Sequence, residues 1–170
     1  MTGEIPILVI MGVSGSGKST IGALLSERLS WAFAEGDDLH PSANIEKMSK
    51  GIPLSDADRW PWLESITEVM DRWHQDGIAG IITCSALRRS YREKLAKGRP
   101  YLRFIYLKGS PDVISQQLTR RHDHFMPPTL LESQFAAFED PEPNEPVLIC
   151  SIGDQVEDVV KSIVTKLDLA

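Results

Sequence analysis

Ile5-Pro6-Ile7-Leu8-Val9-Ile10-Met11, followed at once by Gly12-Val13-Ser14-Gly15-Ser16-Gly17-Lys18-Ser19, is the stretch whose character decides the fold. Its first half is a continuous, largely β-branched apolar run, as expected of a strand buried on both faces. Its second half matches G-x-x-x-x-G-K-[ST] at every fixed position. Beyond it, Ile21, Leu24, Leu25 and Leu29 recur at helical spacing. Strand, glycine turn and amphipathic helix form the context that gives the pattern its meaning. A glycine-rich turn with an incidental lysine would need none of it.

Each fixed residue has a physical task. Glycines permit positive φ and let backbone N–H groups approach phosphate oxygens without an intervening side chain. The helix that follows points its positive dipole end at the same anion. Lys18 can bridge β- and γ-phosphates as a point charge, and the Ser19 hydroxyl can ligate Mg²⁺. The stretch therefore predicts a site for ATP with Mg²⁺, with Gly12, Val13, Ser14, Gly15, Ser16, Gly17, Lys18, Ser19 and Thr20 as its nucleotide-binding residues.

Outward from this centre, strands are expected at 31–34, 79–84, 101–107 and 146–152. Helices are expected at 43–50, 61–75, 88–97, 111–121, 129–138 and 155–167. Alternation of the two implies a parallel sheet with helices on both faces. No repeat, low-complexity tract or linker interrupts the chain, so residues 1–170 are read as one α/β domain.

The chain has 170 residues, with 42% hydrophobic and 25% charged content, within the range of folded globular proteins. A net charge of −6 argues against coating nucleic acid, whose affinity comes mainly from phosphate neutralisation. A few local cations can still bind a small anion. Cys84 and Cys150 are the only cysteines, too few for a disulfide scaffold, and both lie in apolar stretches. They are read as reduced and the protein as cytoplasmic. The apolar run 5–13 is too short to span a bilayer and has no basic leader, so no membrane association is expected.

The kind of P-loop protein follows from what surrounds the motif. The strand at 79–83 runs into Cys84-Ser85-Ala86-Leu87 rather than ending in an acid, and no Asn-Lys-x-Asp sequence is present. Both features weaken a motor or switch reading and favour a small kinase. Asp37 and Asp38 follow the second strand, where a carboxylate can orient an acceptor hydroxyl or hold Mg²⁺ through water. The bland alternative is a solvated loop or helix cap ahead of His40-Pro41-Ser42. In Asp56-Ala57-Asp58-Arg59-Trp60-Pro61-Trp62, Asp58 or Asp56 is expected to cap a helix with Pro61 in its first turn. Arg59 can meanwhile offer its guanidinium fork to a carboxylate or phosphate. Arg120-Arg121-His122-Asp123-His124 has the composition of a cationic lid, with Arg121 the leading candidate. Its alternative is a basic helix end.

Several of these blocks together resemble the gluconokinase family. They are Gly36-Asp37-Asp38-Leu39-His40-Pro41, Asp56-Ala57-Asp58-Arg59-Trp60-Pro61-Trp62, Cys84-Ser85-Ala86-Leu87-Arg88 with Tyr91 and Arg92, and Ser133-Gln134-Phe135. The resemblance covers nearly the whole chain. It implies ATP-dependent phosphorylation of D-gluconate on its 6-hydroxyl, giving 6-phospho-D-gluconate and ADP. It also implies a three-layer P-loop kinase fold similar to shikimate kinases, with a five-stranded parallel sheet in the order 2-3-1-4-5. A mobile lid near 118–132 and a homodimer are further implications. By motif position, Lys18, Asp37 and Arg121 are the expected catalytic residues, and Asp37, His40, Arg59, Ser85 and Arg88 the expected gluconate site. Ser19, and Asp37 through water, would serve the metal. The rival readings are a kinase for shikimate or a nucleoside monophosphate, and a nucleotide-binding regulator without acceptor chemistry.

Overall fold

A computed structural model describes residues 6–114, 128–153 and 155–169, with 128–130 as backbone only. Five strands form one sheet: β1 (Ile7–Met11), β2 (Ala32–Glu35), β3 (Gly80–Thr83), β4 (Leu102–Lys108) and β5 (Val147–Ser151). All pairings are parallel and the spatial order is β2-β3-β1-β4-β5, as expected. The β-branched run is the centre of this sheet. Ile7 stands beside Gly80 on one side and Leu102 on the other.

Side chains alternate across β1 and so feed two cores. Ile7, Val9 and Met11 face a layer that includes Trp62, Leu63, Ile66 and Met70 of α3 (Asp56–Gln75), with Tyr91 and Leu95 of α4 (Arg89–Ala96). Leu131 of α5 (Pro128–Ala137) joins the same layer. Leu8 and Ile10 face Ile21 and Leu25 of α1 (Lys18–Leu29) and Val159, Val160 and Ile163 of α6 (Val156–Lys166). Helices thus cover both faces, the arrangement that a continuous apolar strand requires. Helix α2 (Ser42–Ser49) follows a 3₁₀ turn at Gly36–Leu39 and stands between β2 and α3 in sequence, and residues 111–114 are helical as well.

Two boundaries differ from the sequence expectation in ways that matter. Strand β2 runs on through Glu35, which brings that carboxylate to the end of the sheet nearest the glycine turn. Helix α3 starts at Asp56 rather than 61. Its N-cap is Ser55, whose hydroxyl accepts from the Asp58 N–H while the Asp58 carboxylate accepts from the Ser55 N–H. That reciprocal capping box secures the first turn, so neither Asp56 nor Asp58 is the cap residue. Pro61 then falls inside the helix, where it leaves the carbonyl of exposed Ala57 to water.

Candidate active site

The glycine turn between β1 and α1 is built to face an anion. Gly12, Gly15 and Gly17 have φ of 145°, 84° and 97°, all in the region that side chains disfavour. A Cβ on Gly12 would also lie 2.9 Å from the Ser16 Oγ and 3.0 Å from the Leu107 carbonyl oxygen. Gly17 caps α1 without any side-chain hydrogen bond, so among the described residues no capping side chain takes the place of an anion there. Lys18 curls back over the turn, donating from Nζ to the carbonyls of Gly12 and Val13 at 3.0 Å each. The Ser16 Oγ is buried with no hydrogen-bond partner among the described residues. An orphaned hydroxyl in a glycine cradle fits bound polyphosphate.

Ser19 leads to a residue that sequence reasoning left out. Its hydroxyl donates to Glu35 Oε2 at 2.9 Å, and the Thr83 hydroxyl donates to the same oxygen at 3.0 Å. The Thr83 oxygen in turn accepts the Gly36 N–H at 3.1 Å. With its proton committed to Glu35, the Ser19 oxygen keeps its lone pairs for a cation. The donor set, a hydroxyl backed by carboxylates at Glu35, Asp37 and Asp38, is the oxygen-rich kind that Mg²⁺ takes. In the sequence Glu35 stands just past the expected strand 31–34, at the head of the Gly36-Asp37-Asp38 block, with no role assigned to it.

Two cavities meet here. One, of about 270 Å³, is lined by Ser14, Gly15, Lys18, Ser19, Glu35, Asp37, Asp38 and Thr83. The other, of about 370 Å³, holds Asp37, His40, Arg59, Trp62, Ser85 and Gln134, with an apolar wall that includes Ile45, Met48 and Leu54. Ser14, Lys18 and Asp37 line both. The first has the chemistry of a phosphate site; the second combines one guanidinium with several hydrogen-bonding side chains.

The second cavity is firmly braced. His40 is buried and stacks on Trp62, ring centroids 4.1 Å apart and 16° from parallel. Trp62 is fixed by donation from Nε1 to the Gly36 carbonyl at 2.8 Å. Burial holds the His40 pKa down to about 4; the nearby Asp37 carboxylate opposes that shift and the Arg59 cation adds to it. His40 Nε2 lies 3.9 Å from Asp37 Oδ1. Arg59 donates from Nη1 to the Tyr91 hydroxyl at 2.9 Å, and Tyr91 donates to the Asp56 carboxylate. The guanidinium is thereby aimed by a neutral group and keeps its charge for a ligand.

Ser85 enters the cavity from a turn after β3 whose Ala86 has a φ of 47°, unusual for a residue with a side chain. Buried Arg92 secures that turn, donating to the carbonyls of Ala86 and Glu139 at 2.9 Å each and to Glu145 at 2.6 Å. Arg92 therefore supports the pocket without lining it. Arg88 does not line either cavity; its Nε is 3.6 Å from the Asp56 carboxylate. Exposed Thr20 also lies off both cavities, on the first turn of α1. Arg121, with the rest of the cationic segment 120–126, lies outside the described residues. Gln134 was another residue without an expected role: its Oε1 accepts the Ser14 N–H at 2.7 Å, tying α5 to the glycine turn.

Comparison with known proteins narrows the chemistry. Residues 14–165 match the family described as Shikimate kinase. The chain is 48% identical over 153 residues to the gluconokinase of Gluconobacter oxydans, covering 90% of this chain and 85% of that protein. The crystal structure of a gluconokinase from Sinorhizobium meliloti superposes with a TM-score of 0.87 at 41% identity, covering 96% of this chain and 91% of that one. An unliganded sugar kinase from Janibacter superposes with a TM-score of 0.92 at 43% identity, covering 98% and 96%.

Proposed function

The chain belongs to the gluconokinase family, within the shikimate kinase type of P-loop protein, and from that premise we infer that it transfers the γ-phosphoryl group of ATP to the 6-hydroxyl of D-gluconate. The products are 6-phospho-D-gluconate and ADP. One observation carries the reading: Ser14, Lys18 and Asp37 form a wall common to the phosphate cavity and the acceptor cavity. A phosphoryl group can cross only where donor and acceptor oxygens stand on either side of one such wall.

In the transfer, a new bond forms between the acceptor oxygen and the γ-phosphorus as the bond to the β-bridging oxygen breaks. The acceptor proton passes to the Asp37 carboxylate and then to solvent. Lys18 and the N–H groups of the glycine turn balance charge on the phosphate oxygens. Ser19, with Asp37 through water, would hold the Mg²⁺ that accompanies ATP, whose charge offsets that of the phosphates. Arg59 offers its guanidinium to the gluconate carboxylate, and neutral His40 with Ser85 offers hydrogen bonds to hydroxyls. Arg121 is proposed as the cation that closes over the phosphates, Arg88 as an outer contributor to the acceptor side, and the working form as a cytoplasmic homodimer. Arg88 and the homodimer are supported by sequence resemblance, Arg121 by that and by the cationic composition of its segment, and the cytoplasmic location by the two cysteines read as reduced.

Mg²⁺-dependent ADP formation tests the reading, with gluconate, shikimate, AMP or no acceptor and Lys18→Ala as control. Turnover with gluconate alone, lost in the variant, is expected. Nucleotide binding without acceptor-dependent turnover would make the protein a regulator; turnover with another acceptor would replace the substrate.

A further inference from the structure

Asn44, on α2, makes two hydrogen bonds from one amide nitrogen: Nδ2 donates to the Asp58 carbonyl at 2.9 Å and contacts His40 Nδ1 at 3.1 Å. A backbone carbonyl only accepts, so the amide must present NH₂, not oxygen, to Asp58. Both contacts use the same nitrogen, and its second proton is therefore directed at His40 Nδ1. A ring nitrogen facing an N–H donor must be the unprotonated one, and the single ring proton of neutral His40 resides on Nε2. Asn44 is only 3% exposed and His40 9%, so water offers little alternative partnership to either.

From this geometry we propose that Asn44 is a positioning residue which fixes His40 as a one-way hydrogen-bond donor, its Nε2–H turned toward Asp37 and the acceptor cavity. The proposal deepens the kinase reading and rests on it for the identity of the acceptor. Nε2 lies 3.9 Å from Asp37 Oδ1. An oxygen about 2.8 Å from each would subtend close to a right angle between them, a tolerable hydrogen-bonding arrangement. A hydroxyl seated there donates a hydrogen bond to Asp37 and accepts one from Nε2–H, leaving a second lone pair for attack on phosphorus as its proton passes to Asp37. His40 is thereby denied the part of base, because Nε2 is already protonated and Nδ1 is occupied by Asn44. The charged groups facing the ring are Asp37 from the 3₁₀ turn and Arg59 from α3; Trp62 covers one face. Asp58 turns its carboxylate away, to Lys47 at 2.9 Å.

Long-range ¹H–¹⁵N NMR of the labelled full chain without substrate reads the tautomer directly. Three other histidines are present, at 74, 122 and 124, and His40 is assigned by the signals lost in His40→Gln. The expected pattern is a pyridine-type Nδ1 and a pyrrole-type Nε2. A proton on Nδ1, or on both nitrogens, in the unaltered protein overturns the proposal, and this holds even if every variant fails to fold. Asn44→Asp replaces the donor by an acceptor and should move the proton to Nδ1; an unchanged pattern in the folded variant counts against Asn44. In turnover, His40→Gln keeps an N–H near the Nε2 position and should stay within about tenfold of the parent in kcat, with His40→Leu falling well below it. Equal losses in the two would remove the donor role. If the parent does not phosphorylate gluconate at all, the functional reading fails, and the tautomer is still decided by the spectrum.

Discussion

Ser19 and Glu35 are joined by a 2.9 Å hydrogen bond in which the hydroxyl gives its proton to a carboxylate at the tip of the neighbouring strand. This bond orients the Ser19 lone pairs toward the place a nucleotide-bound cation would take. Glu35→Gln keeps the size of the side chain and removes its charge. The expected result is a half-saturating Mg²⁺ concentration raised about 10- to 100-fold, as for other partners of metal ligands. A Mg²⁺ titration of turnover at saturating gluconate checks it; an unchanged half-saturation point would make Glu35 purely architectural.

Asp37 faces both cavities, so its loss should separate binding from transfer. Asp37→Asn is expected to bind ATP normally and to lose about 10²- to 10³-fold in kcat. Nucleotide titration beside steady-state kinetics reads both. Undiminished turnover would take Asp37 out of the chemistry.

The Tyr91 hydroxyl accepts from Arg59 and donates to Asp56, and the buried ring lies under the Arg59 guanidinium, which is 5.4 Å from the ring centroid. Tyr91→Phe retains the packing and the ring under Arg59 and removes the hydroxyl that aims the guanidinium. The gluconate KM should rise about 3- to 10-fold, corresponding to one hydrogen bond of about 1 kcal/mol, with the KM for ATP unchanged. Equal rises in both would point to a general loosening of the fold.

Gly36 owes its identity to crowding, because its φ is not positive. A Cβ there would stand 1.9 Å from the Thr83 carbonyl oxygen. The same residue donates to the Thr83 hydroxyl and accepts from the Trp62 indole. Gly36→Ala forces β2 and β3 apart at the site, with an expected cost of about 3 kcal/mol and a Tm lower by about 6–12 °C. Calorimetry decides; a Tm within a degree or two of the parent would contradict the packing.

Asp58 is held down to about 2, from an ordinary 3.8, by the Ser55 N–H and then by the Lys47 ammonium. A depressed folded-state value means that the ionised carboxylate favours the fold. Its contribution is complete above about pH 4 and disappears as the pH falls toward 2. The stability difference between the parent and Asp58→Asn, from urea melts at several pH values, should therefore close over that interval. A gap that persists at low pH would assign the effect to shape rather than charge.

The sheet was legible because an unbroken apolar run has only one comfortable place, the middle of a covered parallel sheet, and because the glycine turn marks where that strand must meet a helix. Asp37 was legible from its place after the second strand, Arg59 from the fork it can offer to an anion, and His40 through the family resemblance. Other parts escaped for physical reasons. Ser55 was passed over as a cap since two acids followed it, and Pro61 looked like a first-turn residue until the capping box moved the helix start upstream. Gln134 is 120 residues from the amide it receives, a pairing that no local pattern records. Arg92 stood in a block of family resemblance, and the partners that consume its guanidinium, the Ala86 carbonyl and distant Glu145, are brought to it only by the fold.

The parts that face the acceptor are mostly neighbours in sequence as well as in space. His40, Arg59 and Trp62 line the cavity from the stretch between β2 and the body of α3, and Asn44, Lys47 and Asp58 of the same stretch brace His40 from behind. The phosphate turn lies wholly before it. Much of the second cavity's wall is therefore carried on one segment, with Ser85 and Gln134 reaching it from elsewhere, so that exchanging residues 40–62 while sparing Asp37 would recast that wall and leave the phosphate turn as it stands.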